Sequence, residues 1–270
     1  MKSVVTYVGN DEGFEARFQS ALDLVCRFGG HLTMVQPSLA RDYVAFDMMG
    51  GAHFIAEAWE AAEQQRNEAR EKIEERLKVE GVNWDWQLVD GNTLTDILVD
   101  AARFADLIIL SLDSVNKGAS SKGRTLVGDV AVKSHTAVLA VPPTSRGIAI
   151  ERALIAYDGG FEVARAIRAA TPLLGACQSV KIAEITSEPD AFPLTDAAHY
   201  LARQGISVDV EMVEKGDVTV EERLIAMVDK VRPDFLVMGA YGHGRLRETL
   251  FGGVTRYILG DVGVPVLLAH

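Results

Sequence analysis

The chain has 270 residues, 48% of them hydrophobic and 24% charged, with a formal net charge of −11 and a sequence pI near 5.0. That length accommodates one large or two modest domains, each able to bury a core, and the acidic balance argues against nucleic acid, whose phosphate backbone is read by a basic face. No charged start with an apolar core marks a signal peptide and no run of ~18 apolar residues marks a membrane span, so a cytoplasmic protein is expected.

In chain order, Val4–Val8 is an apolar run of strand length, followed by helical spacing from Phe14 to about Arg27 and a second strand, His31–Val35. Cys26, near the end of that helix, and Cys177 in the second half read as reduced, buried small residues. The connection 37–51 is apolar in flavour and reads as a lid, a groove, a dimer contact, or chain collapsed on its own core. A helix from about Ala52 to Lys78, rich in Glu, Arg and Lys, has a solvated face with i,i+4 pairs and leads to the strand Trp84–Val89. A helix Thr93–Phe104 leads to the strand Ala105–Leu110. After the 111–128 loop, a small-residue helix and the strand Ala137–Pro142 complete the half.

Beyond Pro143–Gly147 the order begins again. Ala153–Tyr157, Val180–Ile185, Ser207–Val213, Phe235–Met238 and Val264–Ala269 read as strands; helices are expected at about Phe161–Leu174, Leu194–Arg203, Thr219–Val231 and Val254–Leu259. The runs Ala105-Asp-Leu-Ile-Ile-Leu110 and Pro233-Asp-Phe-Leu-Val-Met238 nearly coincide, which marks an internal duplication. Strands alternating with helices give an α/β class: two doubly wound, five-stranded parallel-sheet domains, 1–143 and 148–270. Their apolar last strands, Ala137–Val141 and Val264–Ala269, suit a pseudo-twofold pair.

In the commonest order for five strands the first and fourth are neighbours, and ligands bind beyond their carboxyl ends. Tyr157-Asp158-Gly159-Gly160 then faces the loop Gly239-Ala-Tyr-Gly-His-Gly-Arg-Leu-Arg-Glu-Thr-Leu-Phe-Gly-Gly-Val-Thr255 across one crevice. Gly239, Gly242 and Gly244 let backbone amides turn toward an anion, and the following helix adds the positive end of its dipole. Asp158 is an acceptor for a ribose hydroxyl or an adenine amino group, or else a helix cap; the glycine loop is a phosphate cradle, or else tight packing. His243 is the one histidine inside the loop, placed to donate to a phosphate or to face solvent.

The spacing Gly239, two residues, Gly242, nine residues, Gly252 resembles the G-x2-G-x9-G motif of the ATP-binding branch of the universal stress protein family, and the duplicated chain looks like a tandem of two such domains. The resemblance implies Rossmann-like, adenine nucleotide alpha-hydrolase-like domains and a stress-response regulatory protein that binds ATP, ADP or AMP, with or without Mg²⁺, in the second domain. It implies adenosine contacts at Asp158, flanked by Tyr157 and Gly159. Phosphate contacts would come from Gly239, Gly242, His243, Gly244, Arg245, Gly252, Gly253, Val254 and Thr255. The family expects Ser or Thr where this chain has Gly253, with Thr255 close by.

The first half departs from that pattern. The position of Asp158 falls at Gly9 or Asn10, Ser111 and Ser114 replace Gly239 and Gly242, and the loop from Ser111 to Gly128 reads four residues longer than that from Gly239 to Gly252. Within it, Gly118–Thr125 resembles a P-loop but carries Arg124 in place of lysine, and a flexible surface loop is the simpler reading. No Ser/His/Asp elbow, Cys/His couple or metal-ligand spacing is visible, so the chain reads as a binding protein, at most a slow ATPase using Arg245 or Arg247. The other class is an interaction or scaffold protein with a degenerate pocket. Its protein partners are not legible, and a homodimer of tandem chains is compatible with the pattern.

Overall fold

The computed structural model describes residues 1–38, 52–91, 93–112, 125–186, 193–214, 216–240 and 253–270. The first half runs β1 (Ser3–Tyr7), α1 (Phe14–Phe28), β2 (His31–Pro37), α2 (Ala52–Glu80), β3 (Asn83–Val89), α3 (Leu94–Ala101), β4 (Leu107–Ser111), α4 (Leu126–Lys133) and β5 (Ala137–Val141). The second runs β6 (Arg152–Tyr157), α5 (Phe161–Leu174), β7 (Ser179–Thr186), α6 (Leu194–Arg203), β8 (Asp209–Glu214), α7 (Val220–Val231), β9 (Phe235–Gly239), α8 (Gly253–Asp261) and β10 (Val266–Ala269).

All ten strands join one sheet in the order β3-β2-β1-β4-β5-β10-β9-β6-β7-β8. Each half is a parallel set with its first and fourth strands adjacent, and β5 meets β10 antiparallel. Leu139 stands directly opposite Leu267, while Val138 faces Leu268 and Ala140 faces Val266. Leu107 pairs with Ala137 and Leu236 with Val266, the same interval in each half, so Leu139 and Leu267 are equivalent residues. The pseudo-twofold axis therefore passes between these leucines, perpendicular to the sheet, and an interface of this kind is self-complementary. The carboxyl ends of the two parallel sets consequently point to opposite edges of the sheet.

The inner strands are apolar on both faces because helices cover both. Helices α1, α2, α5 and α6 supply one core layer, with Phe18, Leu22, Leu77, Ile167 and Leu201. Helices α3, α4, α7 and α8 supply the other, with Leu98, Val130, Met227 and Ile258. Thr93, Thr125 and Thr219 cap α3, α4 and α7, each side chain accepting a backbone N–H of its helix.

The near-identical runs before the fourth strands have a structural cause. Asp106 accepts from the backbone N–H groups of Lys2 and Ser3, and Asp234 from those of Glu151 and Arg152, so each aspartate closes the amino end of the first strand beside it. Asp23 on α1 holds the joining segment by accepting from the Ile148 N–H at 2.8 Å. Gly147, at φ +131, leaves no room there for a side chain, since a Cβ would lie 2.2 Å from that carboxylate.

Some boundaries differ from the sequence reading. The helix expected over Thr93–Phe104 starts after the Thr93 cap and stops at Ala101, and Phe104 is 96% exposed. β10 begins at Val266, after Pro265, which has no N–H for a ladder bond. The loop after β4 is not longer than its counterpart: the interval from β4 to β5 equals that from β9 to β10. Gly128 lies inside α4, and Thr125, not Gly128, takes the place of Gly253. Residues 39–51 of the 37–51 connection, Ser114, and residues 118–124 of the P-loop-like run lie outside the described residues.

Leu139 and Leu267 are fully buried, so Leu139→Ala and Leu267→Ala should each cost about 2–5 kcal/mol through lost contacts and a residual cavity. Because the two side chains face each other, the double variant should cost less than the sum. Denaturant unfolding of the four proteins checks this, and simple additivity would mean that the leucines do not share one cavity.

Candidate functional site

In the second half, β6 and β9 are adjacent and parallel, with Ala156 beside Met238 in register. Asp158 and Gly239 thus leave neighbouring strands at the same edge. Asp158 is exposed and its Oδ1 accepts from the Gly160 N–H at 3.0 Å. Gly159 adopts φ +74, a left-handed conformation that glycine reaches without strain. Together they turn β6 sharply into α5, whose first residue follows Gly160. Gly160 is the N-cap residue of α5, and Asp158 holds the turn before it.

Gly239 permits the closest contact in this region. A Cβ there would stand 2.7 Å from the Val163 backbone nitrogen, closer than real Cβ atoms approach, and 3.0 Å from the Glu162 Cβ. The first turn of α5 therefore lies against the end of β9, and its positive dipole end faces the edge where Asp158 emerges. Ala240, after the strand, donates to the Ala269 carbonyl at 2.9 Å, and its own oxygen lies 2.9 Å from His270 Nδ1.

Gly253 begins α8, as the motif reading expected, with Val254 partly buried behind it. Thr255 is 4% exposed, so its side chain lies within the protein and not on the open side of the helix start. Tyr157 is likewise buried, in the core layer with Ile155 and Val163. Gly242, His243, Gly244, Arg245 and Gly252 lie outside the described residues. One residue that sequence reasoning did not single out is Glu184, 5% exposed and in register beside Tyr157 at the end of β7. No pattern distinguishes it from the ordinary surface glutamates, because only strand pairing brings it to this edge.

The corresponding edge of the first half is filled by its own side chains. Gly9 matches Asp158 in register, yet Asp11 takes over the backbone task, its Oδ1 accepting from the Gly13 N–H at 3.1 Å. Both Asp11 oxygens are held by Arg17, at 2.6 Å from Nη1 and 2.7 Å from Nη2. Arg17 Nε donates to the Tyr7 carbonyl at 3.0 Å and Nη1 to Ser111 Oγ at 3.0 Å. Its guanidinium carbon lies 3.8 Å from the centre of the Tyr7 ring, and the side chain is fully buried. Ser111 in turn donates to the Gly13 carbonyl at 2.6 Å. The sequence signal for this cluster was a lone arginine in the apolar stripe Phe14, Arg17, Phe18, Ala21.

Comparison with known proteins finds a family model that matches the second half and solved structures that share the fold of the whole. Residues 149–270 match the model of the Universal stress protein family. Over 123 residues the chain is 28% identical to Universal stress protein Slr1230 of Synechocystis, a match covering 44% of this chain and 42% of that protein. The chain thus spans less than half the length of that relative. The crystal structure of a universal stress protein from Archaeoglobus fulgidus has the same fold, with a TM-score of 0.68 at 17% identity over 99% of this chain and 96% of that one. A functionally unknown protein from Pseudomonas aeruginosa PAO1 superposes with a TM-score of 0.59 at 16% identity, covering 100% of this chain and 92% of that one.

The Asp11–Arg17 pair makes a stability prediction with a pH signature. Burial alone would raise the Asp11 pKa, but the hydrogen bonds and charge of Arg17, with the Gly13 N–H, hold it net below its ordinary 3.8. A carboxyl depressed on folding stabilises above its unfolded pKa, and that contribution is lost as pH falls through the folded value. Asp11→Asn leaves a buried guanidinium without its counter-charge and should cost roughly 2–3 kcal/mol at neutral pH, less than for a fully buried pair because Asp11 meets solvent. Denaturant unfolding should show this deficit shrinking once the pH drops below about 3.8, as wild-type Asp11 itself becomes protonated. A deficit independent of pH would mean that the charge pair does not stabilise this end of the sheet.

Proposed function

We propose that the chain is a tandem universal stress protein, with domains at 1–143 and 148–270, whose second domain binds an adenine nucleotide and whose occupancy regulates protein partners in a stress response. The observation that carries this reading is the edge at β6 and β9. Asp158 and Gly239 emerge side by side in the segment that matches the family, beside the first turn of α5. That edge is the topological switch point of a doubly wound sheet.

In this reading the Asp158 carboxylate, which accepts from the Gly160 N–H, also accepts a hydrogen bond from the adenosine, while the glycine loop and the start of α8 hold the phosphates through backbone amides. Mg²⁺ bound with the phosphates would supply charge neutralisation there, while the chain's own contribution is the backbone amides of the loop and of the start of α8. Gly239 serves the site by geometry, since it lets the α5 terminus come close. The first half, with Gly9 where Asp158 stands, contributes no second nucleotide site.

Calorimetry with ATP, ADP and AMP tests this. One site per chain is expected, and Asp158→Ala should weaken all three by about ten- to a hundredfold, the worth of a hydrogen bond to a charged acceptor. Two equivalent sites, or unchanged affinity in Asp158→Ala, would overturn the assignment. Absence of binding to all three leaves the interaction-protein reading of the same fold.

Gly253 gives a sharper test. Its counterpart Thr125 caps α4 with an extended backbone, φ −90 and ψ 149, and accepts from the Gly128 N–H at 3.1 Å. A hydroxyl that accepts from its helix still has its proton for a phosphate. Gly253→Ser should therefore tighten ATP more than AMP, by up to about ten- to a hundredfold. An unchanged ATP-to-AMP ratio in a folded variant would show that position 253 does not touch the phosphates.

A further inference from the structure

Equivalent positions in α1 and α5 carry different residues where it matters. The registers of β1 on β4 and β6 on β9 make Val4 the counterpart of Ala153 and Ser111 that of Gly239. Carried into the helices, the same offset matches Phe14, Arg17, Phe18, Ala21, Leu24 and Val25 with Val163, Ala166, Ile167, Ala170, Leu173 and Leu174. Nearly all of these are buried, so the two helices face the sheet in the same way. Arg17 thus stands where the second half has Ala166.

We infer that Arg17 is a built-in occupant of the first-half switch point, and that the residue at this helix position, arginine at 17 and alanine at 166, decides which half can take a ligand. The guanidinium is bound as a ligand would be. It reaches the carboxyl ends of both β1, at the Tyr7 carbonyl, and β4, at Ser111 Oγ; it is clamped by both oxygens of Asp11; and it lies over the Tyr7 ring with its side chain fully buried. A planar fork with this many donors satisfies all these acceptors at once, which an ammonium does not. With arginine there, the crevice has no room for a nucleotide. At the matching positions the second half has Ala166 and Gly239, neither of which carries a side chain long enough to bridge the two strand ends.

The part of this inference that concerns Ala166 rests on the nucleotide reading above, while the part that concerns Arg17 does not. Arg17→Ala should be destabilised and should recover a free guanidinium ion: about 20 mM guanidinium chloride should raise its thermal midpoint by about 2–4 °C over equal sodium chloride, with no such rise in wild type. Arg17→Lys keeps a charge for Asp11 but loses the fork, and should be less stable than wild type even if Arg17→Ala does not fold. Ala166→Arg, with fold verified by circular dichroism, should lose ATP binding at least a hundredfold in calorimetry. Arg17→Lys at wild-type stability, or a guanidinium response in Arg17→Ala equal to that of wild type, overturns the built-in occupant. Retained ATP binding in Ala166→Arg overturns the role of position 166. If wild type binds no ATP, the nucleotide reading fails, and the guanidinium and lysine comparisons still decide the inference about Arg17.

Discussion

The antiparallel contact of β5 with β10 is the constraint on which the rest of the molecule depends. Two doubly wound sheets each end in an apolar strand that covers its own core on both faces and leaves one row of backbone groups unpaired. Pairing these two edges satisfies both rows and continues both core layers across the junction, with Leu139 and Leu267 at the centre. A twofold relation follows, because equivalent edges can pair with one another only in opposite directions. The two switch points are therefore sent to opposite edges of the sheet, where neither copy hinders the other and each can diverge alone.

Divergence is plainest where the first helix of each half meets the end of the fourth strand. In both halves this approach is too close for two ordinary side chains. The second half resolves it with Gly239 on the strand, opposite Glu162 and Val163 of the helix; the first resolves it with Gly13 before the helix, opposite Ser111. The choice has consequences beyond sterics. Ser111 brings a hydroxyl that both donates to the Gly13 carbonyl and accepts from Arg17, so the first half closes around a polar cluster. Gly239 brings no side chain, and its backbone lies directly beside the first turn of α5.

The outer edges diverge as well. In the first half α2 runs for 29 residues, and Trp84 and Trp86 of β3 pack on the core layer that it shares. In the second, α6 has 10 residues, and Val210 and Met212 of β8 remain 42% and 67% exposed. β8 is held by its pairing with β7 and carries charge on its other face: Lys181 reaches Asp209 and Glu211, and Lys230 also reaches Glu211, whose pKa their hydrogen bonds pull down to about 2. Exposed pairs of this kind contribute little stability, but charge on an edge strand discourages further strand pairing.

What the sequence by itself determined is everything that rests on local pattern. The period of apolar residues placed the strands and helices, duplication of the Asp106 and Asp234 runs revealed two copies, and glycine spacing located a strand-to-helix loop where the chain turns at the edge of the sheet. These are legible because backbone geometry fixes their spacing within a few residues of chain. The tertiary structure alone decided what depends on contacts across the sheet. It put Asp11 rather than a neighbour in the backbone role of Asp158, made Gly128 a helix interior residue, withdrew Tyr157 and Thr255 into the core, and brought Glu184 beside Tyr157. Above all it carried Arg17 to Ser111, 94 residues away along the chain. A buried guanidinium and a solvated one look the same in sequence; they differ only in whether distant strand ends supply the acceptors that replace water, and only folding assembles those.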